Sequence, residues 1–153
     1  MKEKEYLFNP FAIEKIENDN LKEMYQDIYS SINIEPNTMY EYANNIEIYT
    51  NLLYICGDCI ARYTKNILEL KTKIDIDKAI NTTSERKNWE TEWGKVPAMS
   101  YFEALATRMS QDDINLLADS ECRLKRFKNA YSSIEEKINA LKKKMESIKY
   151  EEF

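Results

Sequence analysis

Histidine is missing from all 153 residues, and glycine occurs only twice and proline three times. Each shortage excludes something. Without histidine there is no Ser-His or Cys-His pair, and the commonest general base and neutral metal ligand are gone. With so little turn punctuation, all-β and α/β architectures are excluded, because their many tight turns draw on both residues. No apolar run is long enough for a transmembrane helix, and the opening MKEKEYLFNPF lacks the apolar core of a secretory signal. Three cysteines, an odd number, fit a reducing cytoplasm better than a disulfide framework. The expected location is the cytoplasm.

What is present is charge and helix-forming apolar residue. Charged residues make up 32% and hydrophobic residues 43%, with a net charge of −5. A chain of this composition is expected to be all-α. The acidic balance argues against a broadly basic nucleic-acid binder but leaves local patches open. The first 35 residues carry four basic and eight acidic side chains, and residues 119–153 carry nine and seven. The two ends are therefore mildly complementary.

Residues 1–35 read as an arm and a first helix. Asn9-Pro10 gives an N-cap followed by proline at the first helical position, and Glu35-Pro36-Asn37 ends the segment. Thr38 and Glu41 then form a T-x-x-E capping box. Behind it, Tyr42, Ile46, Tyr49, Leu53, Cys56, Ile60, Tyr63, Ile67, Leu70 and Ile74 alternate steps of four and three without an error. That is a heptad seam. The helix is expected to run to Trp93, roughly 80 Å, with a kink or break near residues 81–84. Gly94 and Pro97 supply the stop. Ser100 with Glu103, and Ser110 with Asp113, repeat the capping spacing and open a short helix and a final helix. The final seam runs through Leu117, Ser120, Leu124, Phe127, Tyr131, Ile134, Ile138, Leu141, Met145 and Ile148. Residues 38–153 are thus expected to fold as one long antiparallel hairpin, broken at 94–110. Its register would set Trp93 near Gln111 and Cys122 level with Thr82.

Cys56 and Cys59 carry the spacing of a redox dithiol or of half a zinc site. A thioredoxin-type pair sits at a helix N-terminus behind a strand, and zinc needs about four ligands. Here the pair lies mid-helix, with Cys56 in the seam and Cys59 on its rim, and only Cys122 remains as a further ligand. The thiols are expected to be structural. Gly57 between them costs a mid-helix position about 1 kcal/mol against alanine. A close approach by another helix is expected there, from the first helix or from a second subunit.

No P-loop, dinucleotide motif or nucleophile elbow is present, and the carboxylates form no acid/base constellation. The chain is expected to be non-enzymatic, with no cofactor, metal or small-molecule substrate. Arg123, Arg126 and Lys128, with Lys142, Lys143 and Lys144, read either as a solvated coiled-coil flank pairing with glutamates or as an edge for phosphates. The flank is the simpler of the two. Trp89 and Trp93, with Tyr25 and Tyr29, offer a protein-binding surface or a platform for stacked bases; burial between helices is the simpler reading for the tryptophans. Glu14, Glu17, Asp19, Glu23 and Asp27 form an acidic face.

The segments EWGKVPAMSYFEALA and LLADSECRLKRFKNAYSSIEEKINALKKKMESI resemble small helical proteins of phages and integrated elements, found near genes for recombination and single-strand DNA handling. The matching positions are Gly94, Lys95 and Pro97, then Glu103, Ala104 and Leu105, and the seam from Leu124 to Leu141. The resemblance covers residues 45–150. It implies a long helix, a Gly-Lys-x-Pro break, a short helix and a terminal helix, and brings no active residue with it. The expected function is accessory: binding a partner protein or single-stranded DNA in recombination or replication. An anti-defence inhibitor that blocks a host nuclease through the acidic face is the alternative, and a structural oligomerisation module is another. Exposed heptad edges make a homo-oligomer the expected state.

Overall fold

Three helices account for almost all of the chain that a computed structural model describes, namely residue 27 and residues 30–151. No strand occurs among the described residues. The helices are α1 (Met39–Trp93), α2 (Met99–Met109) and α3 (Gln111–Glu151). None is long and apolar enough to cross a membrane. The chain divides into two compact units. One comprises the described residues up to Ala61 together with those from Lys125 onward, and the other is Arg62–Leu124.

The start of α1 is the capping box. The Glu41 N–H donates to the Thr38 hydroxyl at 3.2 Å, and the Glu41 carboxylate accepts the N–H of Asn37 at 2.7 Å and of Thr38 at 3.2 Å. These groups would otherwise be orphan donors at the helix start. The two backbone donors, Asn37 first, hold the Glu41 carboxyl below its ordinary 4.5. A carboxylate with a depressed folded pKa contributes stability in full above the unfolded value. That contribution is lost as the pH falls through the lower folded value. Unfolding followed from about pH 6 down to pH 3 should therefore show a steeper acid loss in the native chain than in a Glu41→Gln variant. Equal slopes would mean that the cap does not hold Glu41 ionised.

No break interrupts α1 at residues 81–84, where a kink was expected. The hydroxyls of Thr82 and Thr83 donate to the carbonyls of Lys78 and Ala79, at 2.7 and 3.0 Å. Their competing hydrogen bonds are thus spent within the helix. The stop comes at Gly94, which has φ +70° and whose N–H donates to the Glu90 carbonyl at 3.2 Å. Glycine adopts that left-handed conformation without a Cβ penalty.

The two later starts depart from the capping-box expectation. α2 begins at Met99 behind an extended Ala98 that offers no side-chain cap. Pro97 keeps Val96, the residue before it, out of helical backbone, so the helix begins only beyond the proline. Ser110 closes α2, its N–H donating to the carbonyls of Ala106 and Thr107, while its own carbonyl accepts the N–H of Ile114. Asp113 does not close a box with it, because its carboxylate pairs with Lys73.

Both heptad seams hold as burial patterns, since none of their twenty residues is exposed. In the first unit the buried stripe of α1 is wider than the seam. Leu52 is fully buried, and Asn45, Ile48, Ile55 and Cys59 join it. Cys59 therefore lies in the core and not on the rim. In that unit α3 contributes Phe127, Ala130, Ile134, Ile138 and Leu141. Asn45 is the buried polar exception. Its Oδ1 accepts the Asn33 N–H at 2.9 Å and its Nδ2 donates to the Asn33 carbonyl at 2.6 Å. One side-chain amide thus satisfies both backbone groups of one residue in the connection that precedes α1.

In the second unit Lys71 pairs with Glu121 at 3.2 Å, and Lys73 reaches both Asp77 and Asp113. Asp113, then Asp77, raise the Lys73 pKa. Glu121, the neighbour of Cys122, is thus level with Lys71 and not with Thr82. The reason is α2: Phe102 packs on Trp89 and occupies the last turns of α1, so α3 starts farther back along it.

Candidate interaction surfaces

Removing the side chain at Gly57 opens the surface of the first unit. Gly57 lines an open groove of about 460 Å³ together with Thr50, Asn51, Leu53, Tyr54, Asp58 and Tyr131. A Cβ on Gly57 would meet Cε2 of Tyr131 at 3.6 Å. Among the described residues the group approaching Gly57 is thus a tyrosine ring from α3, and the first helix expected there lies outside them. At 3.6 Å the contact is ordinary van der Waals packing, so one methyl fits. Gly57→Ala is expected to stabilise the protein by up to about 1 kcal/mol through helix propensity. A thermal melt checks this, and a lower midpoint would show that the backbone there needs glycine.

Cys56 is fully buried and Cys59 nearly so, whereas Cys122 is exposed. Burial, and then the nearby Cys59 thiol, push the Cys56 pKa up to about 12. Only a thiolate attacks or ligates, so Cys56 is inert at neutral pH. Among the described residues no three His, Cys, Asp or Glu side chains converge to hold a metal ion. Alkylation of the folded protein at neutral pH should label Cys122 alone, and denaturant should expose all three cysteines. Rapid native labelling at Cys56 would contradict its burial.

The basic residues of α3 fall into both units. Arg123 is half-buried and belongs to the second. Arg126, Lys128, Lys142, Lys143 and Lys144 are exposed and belong to the first. Within α3, residues 125–151 hold eight basic and four acidic side chains. Lys128 and Lys142–144 make no ion pair among the described residues, so the expected pairing with neighbouring glutamates does not hold them.

The second unit carries an aromatic cluster. Trp89 lies 6.2 Å from Trp93, 5.8 Å from Tyr101 and 6.4 Å from Phe102, the last two edge-on. Its Nε1 donates to the Lys95 carbonyl, tying the α1–α2 turn to the ring. Phe102 is buried, Trp89 half-buried, and Trp93 remains 69% exposed. The two tryptophans thus divide: Trp89 fills the cluster and Trp93 faces solvent. The expected sites at Tyr25, Tyr29, Glu14, Glu17, Asp19 and Glu23 lie outside the described residues. Asp27 is exposed, and its carbonyl accepts the hydroxyls of Ser30 and Ser31.

Sequence reasoning missed Asn45 and Phe102. Phe102 had a signal, since it shares an apolar α2 face with Ala106. Asn45 had none, because its partner is a backbone unit twelve residues away. No family model, curated protein or solved structure matches this chain.

Proposed function

We propose that the chain is a non-enzymatic helical accessory protein of a phage or mobile element, acting in the bacterial cytoplasm on recombination or replication intermediates. It engages single-stranded DNA through the outward face of α3. The observation that carries this reading is the exposure of Lys128, Lys142, Lys143 and Lys144 without an ion pair among the described residues. Long lysines free of carboxylate partners exchange condensed counterions of a nucleic-acid backbone for their own charge. Glu135, Glu136 and Glu146 interleave with them on α3, which limits the footprint to a few phosphates. The resemblance over residues 45–150 supports the biological setting. In the same reading the two seams close on one another as an elongated antiparallel coiled-coil hairpin.

The test is a titration with single-stranded oligonucleotide at two salt concentrations. Each phosphate contact contributes about 0.7 to the slope of log K against log salt, so three or four lysines give a slope of about −2 to −3. Replacing Lys142, Lys143 and Lys144 together by glutamate should reduce affinity more than about tenfold. Absence of salt-dependent binding by the native chain would overturn the reading.

A further inference from the structure

Beyond the DNA-binding reading, and independently of it, the second unit leaves one side of α1 uncovered. Ile67, Leu70 and Ile74 face the interior of that unit. At 100° per residue, Leu68, Thr72, Ile76, Ala79 and Thr83 fall on the opposite side, with Ile80 adjoining. All are exposed, and Leu68, Ile76 and Ile80 keep 61%, 53% and 56% of their surface in contact with solvent. Their steps of four, four, three and four make a second helical stripe. Lys65 and Glu69 border it toward one end and Lys87 and Glu90 toward the other, with Asp75 and Arg86 along its second edge, all exposed. Lys65–Glu69 is an intrahelical pair at a loose 3.8 Å, Glu90 pairs with Arg86 at 3.5 Å, and Lys87 makes no ion pair among the described residues.

We infer that this stripe is the interface of an antiparallel homodimer, with the two-fold axis at the level of Lys78. The charge order selects this occupant. Around that axis residue n of one copy meets residue 156 − n of the other. Ile76 then packs on Ile80 of the second copy, Glu69 meets Lys87, and Lys65 comes level with Glu90 and Thr91. Leu68 lies over the aliphatic stems of Lys87 and Glu90. Glu69 and Lys87 meet as opposites, as do Lys65 and Glu90, while Asp75 and Arg86 come level with Asn81 and Leu70; the contact is isologous and closes. A parallel pair would set Glu69 against Glu69 and Lys87 against Lys87, which is repulsive. Ala79, nearest the axis, is small enough for the two helices to approach.

Disulfide trapping tests both the partner and its direction, in a Cys122→Ser background that removes the exposed native thiol. In the antiparallel dimer an Ala79→Cys thiol lies about 3 Å along the axis from its copy, and a Thr83→Cys thiol about 15 Å. A bridge needs Cα atoms within about 7 Å. Oxidation should therefore give a covalent dimer with Ala79→Cys and none with Thr83→Cys. Equal trapping at both positions, or at neither, would overturn the proposal. Sedimentation over about 1–100 μM should show a concentration-dependent dimer of the native chain. Lys87→Glu should weaken dimerisation about tenfold or more, and adding Glu69→Lys in the same chain should restore it. A native chain that remains monomeric throughout, leaving the stripe to another partner, would also overturn it. So would a charge reversal that the second substitution does not rescue. The variants lie at exposed positions, and helix content by circular dichroism confirms that each still folds.

Discussion

Replacing Asn45 by leucine is expected to destabilise the protein by about 2–5 kcal/mol. The side chain is 2% exposed and serves both the N–H and the carbonyl of Asn33. Leucine keeps the branched outline but leaves both half-buried backbone groups of Asn33 without a partner, at up to about 1–3 kcal/mol each. Urea unfolding followed by far-UV circular dichroism measures the loss. Asn45→Asp separates hydrogen bonding from shape. An ionised aspartate still accepts the Asn33 N–H, but it cannot donate to the carbonyl and it buries a charge. Protonation restores a donor. The folded state therefore raises the aspartate pKa, and stability is regained as the pH falls through that raised value. The gap between this variant and the native chain should narrow between about pH 7 and pH 5. A gap that stays constant would show that the clamp is not the source of the loss.

Phe102→Ala should be the second large loss, about 3–5 kcal/mol, the range for truncating a buried phenylalanine. Phe102 is 1% exposed and stands edge-on to both Trp89 and Tyr101, at 6.4 and 5.4 Å. Its removal opens a cavity beneath Trp89, so tryptophan emission should shift to longer wavelength along with the fall in unfolding midpoint. Trp93→Ala is the control. That ring is mostly in water, and its loss should change stability by no more than about 0.5 kcal/mol. A Trp93 variant as unstable as the Phe102 variant would mean that the cluster is held from its exposed edge and not from its buried centre.

These two sites differ in how far the sequence exposed them. Phe102 sits four residues before Ala106 on one face of a short helix, a pattern visible in the chain. Asn45 lies one residue before the seam position Ile46 and looks like an ordinary surface amide. Its role depends on how the connection at residues 32–37 folds back, and no local pattern encodes that. Cys59 is similar. Heptad counting places it on a rim, yet the core of the first unit is wide enough to take it in.

Local signals settled what is local. The glycine and proline shortages left an all-helical chain, the alternation of four and three selected the covered side of each long helix, and Thr38 with Glu41 fixed where α1 begins. Gly94 fixed where it ends, because only a residue without a Cβ takes a positive φ cheaply. These features depend on neighbours within a turn or two. Tertiary structure alone decided the rest. Ser110 and Asp113 have capping-box spacing, but a lysine forty residues back takes the Asp113 carboxylate. Packing of Phe102 on Trp89 sets where α3 starts along α1. The surface at Gly57 is defined by a tyrosine ring from another helix. Spacing along the chain carries local hydrogen bonds and periodic burial. It does not carry the choice among distant partners that meet only when the helices pack.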